Sequence, residues 1–177
     1  ILIGKEISFF EKFFRCILPK TPGGEKVAGV FLWIVIAVLA LCVPASLLWI
    51  CHKTNPYLRL FIESIMCWQC LATKSLKDES MKVFYELKNG DVEKARYAVS
   101  MIVGRDTKEL DEAAITRATV ETVAENTSDG VIAPMLYLAI GGGPLGFLYK
   151  AINTMDSMLG YVDEPYKNIG LIPAKAD

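Results

Sequence analysis

Apolar residues in this chain are gathered into blocks rather than spread along it. Residues 27–50, VAGVFLWIVIAVLALCVPASLLWI, are 24 consecutive positions without a charge. As a helix they would extend about 36 Å, enough to cross a hydrocarbon core of about 30 Å. Lys26 fences this run on one side and His52 and Lys53 on the other, with Trp33 and Trp49 in its outer turns. Pro44 predicts a kink, its freed carbonyl being satisfied by a neighbouring helix. The run is too long for the apolar region of a signal peptide. Ahead of it, Ile7, Phe10, Phe13, Phe14 and Ile17 recur at helical spacing with Glu6, Glu11, Lys12 and Arg15 largely between them. That pattern predicts an interfacial amphipathic helix ending at Pro19. Beyond Pro56, YLRLFIESIMCWQCLA is apolar but carries Arg59 and Glu63 at i, i+4. It reads either as a helix packed on the membrane or, as we favour, as a second span with a polar inward face.

From about residue 75 to 130 the pattern changes to that of ordinary soluble helices. Met81, Val83, Phe84 and Leu87 mark one helix, with Asn89-Gly90 as its stop. Asp91 caps a second helix that runs to near Gly104, and Asp111 caps a third reaching about Asn126. The third carries Arg117, Glu121 and Glu125 on one face, with Asn126 and Asp129 just beyond. Two glutamates at i, i+4 repel by a few tenths of a kcal/mol unless a cation stands beside them. Two readings fit: a solvated face in which Arg117 pairs with Glu121, or a cluster of Glu121, Glu125 and Asp129 holding Mg²⁺, which takes hard oxygen ligands and keeps several waters.

Residues 131–140 are apolar and too short to span alone. With GGGPLG and residues 145–148 they become a glycine-broken stretch of membrane length, the kind that lines a cavity. Gly141, Gly143 and Gly146 satisfy G-x-G-x-x-G, but no strand precedes them and no Lys-Ser/Thr follows, so neither a dinucleotide site nor a P-loop is indicated. The helix expected over residues 147–159 groups Lys150, Asn153, Asp156 and Ser157. It reads as a polar seam between helices or as part of a site.

Composition narrows the classes. The chain has 177 residues, 53% of them hydrophobic and 22% charged, with a mean hydropathy of +0.34. With 19 basic against 20 acidic residues and no basic cluster with interleaved aromatics, nucleic-acid binding is not indicated. Cys16, Cys42, Cys51, Cys67 and Cys70 are odd in number and lie mostly in apolar surroundings, which argues against a disulfide framework. Cys67 and Cys70 form a C-x-x-C, but no second pair completes a zinc site. Lys5, Lys12, Arg15, Lys20 and Lys26 precede the first span, and the positive-inside rule puts that side in the cytoplasm. Two spans would return the polar segment there; one would leave it outside. The chain begins at Ile1 and stops at Asp177 with no closing element, so both ends read as cut. The expectation is an all-α, multi-pass helical membrane protein with an inserted polar helical segment. Its parts are residues 1–74, 75–130 and 131–177, acting as one functional unit.

Three strings carry a resemblance: ARYAVSMIVGRDT at 95–107, ETVAENTSDGVIAP at 121–134 and GGGPLGFLYKAINTMDSMLGY at 141–161. In order and spacing they resemble the signature of the adenosylcobinamide-phosphate synthase (CobD/CbiB) family of cobalamin biosynthesis. The resemblance implies a multi-pass protein of the inner cell membrane that joins adenosylcobyric acid to aminopropanol or its phosphate through an amide bond, with ATP and Mg²⁺. It also implies that the family's first residues and its C-terminal portion lie outside this chain, which alone would be inactive. Catalytic candidates on this reading are Asp106, Glu121, Glu125, Asp129 and Asp156, the last four to hold metal or take the ammonium proton. Substrate-binding candidates are Arg105 and Lys150 for phosphate, Asn126 and Asn153 for corrin amides, and Ser157 and Tyr161. The metal set is Glu121, Glu125 and Asp129. A membrane corrinoid-binding or transport component is the alternative.

Overall fold

The computed structural model describes residues 2–19, 21–161 and 165–176. Lys20, one of the cations preceding the first span, lies outside them. All regular structure among the described residues is helical: α1 (Leu2–Ile17), α2 (Pro22–Thr54), α3 (Pro56–Cys70), α4 (Thr73–Lys88), α5 (Val92–Ser100), α6 (Glu112–Thr127), a π turn (Ser128–Ile132), α7 (Ala133–Leu159) and α8 (Leu171–Ala176). Two helical stretches, Pro22–Thr54 and Glu112–Leu159, are long and apolar enough to cross a membrane. The chain forms two compact units, one of Ile1–Cys70 with Leu136–Asp177 and the other of Leu71–Met135.

In the first unit, α2 begins at Pro22, where the missing proline N–H costs nothing, under a Thr21 cap whose Oγ1 accepts from the Gly24 amide at 3.2 Å. It runs without interruption through a buried Pro44. Ile7 of α1, Leu32 and Ile36 of α2, and Ala151, Met155 and Leu159 of α7 form the buried core, with Ile3, Phe10, Phe14 and Trp33 packed around it. The amphipathic α1 therefore folds back on α2. Arg15 fixes the fold-back: its Nη1 donates to Glu25 at 3.0 Å, its Nε to Glu11 at 3.0 Å and its Nη2 to the Pro165 carbonyl at 2.7 Å. Phe13 and Ile17, part of the apolar face of the expected interfacial helix, remain exposed together with Phe9. The 15 residues of α3 give about 22 Å of helix, fewer than the ~20 residues a crossing usually takes.

The second unit is a three-helix assembly around Val83, Ala95, Val99, Ile115 and Ala118. Its punctuation is local chemistry. Gly90, at φ 75°, ends α4 in the left-handed region that suits glycine. Asp91 caps α5 by accepting from the Lys94 amide at 3.0 Å, and Asp111 caps α6 by accepting from Ala114 at 2.7 Å. The second helix, expected to reach Gly104, stops at Ser100. A turn at residues 101–102 then leads into a loop held by Arg96, whose Nε donates to the Leu110 carbonyl at 2.8 Å, and by buried Thr107, whose Oγ1 donates to the Arg96 carbonyl at 3.2 Å.

Candidate functional site

Tucking Thr107 under α5 presents the two residues before it, Arg105 and Asp106, at the surface. Arg105 then reaches α6, its Nη2 donating to Glu121 Oε2 at 3.1 Å. Of the two sequence readings of that face, the one that paired Glu121 with Arg117 is corrected: the loop arginine takes the carboxylate, and Arg117 is exposed one turn away. Around this pair lies a groove of about 270 Å³ lined by Ile102, Val103, Gly104, Arg105, Glu121, Thr122, Glu125 and Asn126. The GRDT and ETVAENTSDG motifs thus meet in one concavity, although 16 positions separate Arg105 from Glu121.

The groove has a cationic edge, two carboxylates and an amide. Asn126 donates through Nδ2 to the Thr122 carbonyl at 2.9 Å, a bond that does not use its side-chain oxygen. Thr122 is buried in the groove wall and was not singled out from the sequence. Its signal was only its place on the same helical face as Ala118 and Glu125. Asp106 lies on the other side of Arg105, in a second concavity of about 370 Å³ with Glu93, Arg96, Tyr97, Ser100, Thr107 and Lys108. Its carboxylate accepts from the Lys108 amide at 3.1 Å, an Asx turn that shapes the loop. Asp129 sits half-buried in the π turn and is not part of the groove lining.

Among the described residues no three His, Cys, Asp or Glu side chains are gathered to hold a metal ion. Glu121 is drawn toward Arg105 and Asp129 lies outside the lining, so the groove offers two carboxylates, Glu121 and Glu125. One or two carboxylates are what Mg²⁺ commonly takes from a protein when substrate phosphates and waters complete its shell. The five cysteines are all free.

The third motif belongs to the first unit. α7 is broken at Gly141 (φ −139°, ψ 20°) and Gly142 (φ 63°, ψ −157°), and helical structure resumes by Pro144, not at Phe147 as the spacing suggested. Proline is favoured at a helix start, so the resumed arm gains a turn. Lys150, Asn153 and Asp156 are half-buried along this arm and Ser157 is exposed. Ser157 donates to the Asn153 carbonyl at 2.8 Å, and the Asp156 carboxylate lies against Gly160. Tyr161 is exposed and its ring lies 6.1 Å from that of Tyr166, which in turn carries the Arg15 guanidinium at 5.8 Å. One partner of the glycine turn was noted from sequence only for its pairing with Arg59. The Glu63 carboxylate of α3 abuts Gly142, with Arg59 at 3.6 Å from it. An acid inside an apolar run was the available signal.

All of the chain, residues 1–177, matches the family model described as CobD/Cbib protein. It is 49% identical to the cobalamin biosynthesis protein CobD of Clostridium perfringens, over 99% of this chain and 55% of that protein. Identity is 46% to the protein of the same name from Clostridium tetani, over 100% and 55%. It is 51% over 149 residues to that of Streptococcus sanguinis, over 84% and 47%. The chain spans about half the length of these curated relatives. No solved structure matches it.

Proposed function

The chain belongs to the CobD/CbiB family, and from that premise we propose that it serves cobalamin biosynthesis as part of a multi-pass membrane ligase. On this reading the enzyme joins the carboxylate of adenosylcobyric acid to aminopropanol, or its phosphate, as an amide. The observation that supports it most directly is the groove in which Arg105, Glu121, Glu125 and Asn126 converge.

A carboxylate is inert toward an amine until one oxygen is made a leaving group, which ATP does by phosphorylating it. The carboxylate oxygen takes the γ-phosphoryl group and ADP departs. The amine nitrogen then attacks the acyl carbon, phosphate leaves with the C–O bond pair, and the nitrogen gives up its surplus proton. In the groove Arg105 supplies a permanent cation for phosphate oxygens, and breaking its exposed pair with Glu121 costs little. Glu125 takes the proton, and Asn126 offers its side-chain oxygen to an N–H or hydroxyl of the substrate. Glu121, released from Arg105, would hold Mg²⁺, which would supply charge neutralisation to the phosphates. In the first unit, Lys150, Asn153 and Asp156 form a separate group of polar side chains whose chemistry suits phosphate and corrin amides.

The test is formation of the amide product in a full-length family member carrying these residues, with ATP, the corrinoid acid and the amine. Amine-dependent ATP consumption with stoichiometric amide supports the ligase. Intact recovery of both substrates, bound or moved across vesicles, would instead make the protein a corrinoid-binding or transport component.

A further inference from the structure

Two aromatic rings show what the glycine break does to α7. Tyr137 and Tyr149 stack with centroids 4.9 Å apart. In an uninterrupted helix, residues twelve apart would be separated by about 18 Å along the axis. The chain has therefore turned back on itself. The side chains at the turn agree: a Cβ on Gly146 would run into Leu138, and one on Gly141 into Leu145. The arm before the break, residues 133–140, is about 12 Å long, less than half the hydrocarbon thickness.

We infer that residues 133–159 form a re-entrant hairpin, which dips into the bilayer and returns to the face it entered from instead of crossing. Neither arm carries a charge from Gly130 through Tyr149, and Leu136 and Ile140 on the entering arm are exposed, Ile140 at 79%. Lys150 is the first charge after the tip, about 12 Å up the returning arm and so as far from the tip as the entering arm begins. A tip inside hydrocarbon must have its freed backbone groups satisfied by protein. Here α3 covers it: Glu63 lies against Gly142, Met66 against Gly143 and Cys70 against Gly146. The Glu63 carboxylate thus stands at the positive end of the returning helix, where an anion is favoured, and Arg59 balances its charge. The ascending order of these contacts also makes α3 and the returning arm run in the same direction. The mouth of the hairpin therefore lies toward the C-terminal end of α3.

This inference rests on the membrane reading of α2, and one experiment separates the two. In a chain with its five cysteines replaced by alanine, reconstituted in phosphatidylcholine–phosphatidylglycerol vesicles of one orientation, single cysteines are read with a membrane-impermeant maleimide. Gly23→Cys and His52→Cys test α2; Ser128→Cys and Ser157→Cys flank the hairpin; Ile140→Cys marks its tip. The expected result is labelling of positions 23 and 52 from opposite faces, of 128 and 157 from one shared face, and of 140 only after detergent. Labelling of 128 and 157 from opposite faces overturns the hairpin while leaving α2 a span. Free labelling of 140 in intact vesicles also overturns it. Positions 23 and 52 on one face would sink the α2 reading itself. Should the cysteine-free chain fail to fold, protease sites inserted after Ser128 and after Gly160 in the native-cysteine chain give the same readout, with cleavage of both from one face expected and from opposite faces refuting.

Discussion

Arg105 in the α5–α6 loop donates to Glu121 near the middle of α6 at 3.1 Å, and both side chains keep 56% of their surface in water. A pair so exposed contributes about 0–1 kcal/mol to stability. Its placement at the lip of the groove is better explained by binding than by folding. Arg105→Ala and Glu121→Gln should each leave the melting temperature within a few degrees while lowering amide formation at least tenfold in a full-length family member. Arg105→Lys should restore little, because an ammonium does not reproduce the planar fork. Product assays beside thermal melts decide this; unchanged turnover in Arg105→Ala would remove Arg105 from the site.

Gly142 is held at φ 63°, ψ −157°, a region open essentially to glycine, and a methyl there would also overlap the Glu63 carboxylate. Gly142→Ala should cost about 1–3 kcal/mol. Adding Glu63→Ala should return only part of that loss, since it removes the overlap and not the backbone strain. Denaturation in mild detergent, comparing the two single variants with the double, measures the split.

Ile115 is fully buried in the core of the second unit. Ile115→Ala should destabilise that unit by about 2–5 kcal/mol through lost burial and the cavity left behind. Loss of the groove's binding should then track unfolding. Chemical denaturation of the protein with residues 71–135 followed by hydrogen exchange would show it.

Asp91 caps α5, and its bond to the Lys94 ammonium, followed by that to the Lys94 amide, holds its carboxyl below the usual aspartate range; Lys94 is correspondingly raised. Because the folded-state value is depressed, the cap's contribution is fully present above the ordinary aspartate pKa of about 3.9. It fades only as pH falls through the lower folded value. Protection of the Lys94 amide against exchange should therefore persist from neutral pH to about pH 4 and drop below it. Asp91→Asn, which keeps a capping oxygen without the charge, should flatten that dependence.

Much of the fold was legible from local signals. The caps Asp91 and Asp111, the Asn89-Gly90 stop and the uncharged run after Lys26 each act within a few residues, so spacing and residue type suffice to place them. The boundary near Gly104 was missed because Thr107 and Arg96 organise that loop through bonds across 11 and 14 positions. Of the groove, the sequence supplied Arg105, Glu121, Glu125 and Asn126 as separate candidates within two motifs. It also offered Arg117 as the partner for Glu121, a choice that helical spacing permits and the loop overrides.

What the amino-acid order determined by itself was helix everywhere, one apolar block long enough to cross a bilayer, a polar insert and the motifs of a family, since periodicity, capping and charge are local properties of the chain. Tertiary structure alone decided that Arg105 meets Glu121, that α1 folds back on α2 through Arg15, and that Gly141 and Gly142 turn α7 onto itself against Glu63. Those outcomes depend on which distant groups can satisfy one another at once. Side chains and backbone amides compete for the same partners, and only the packed chain settles the competition.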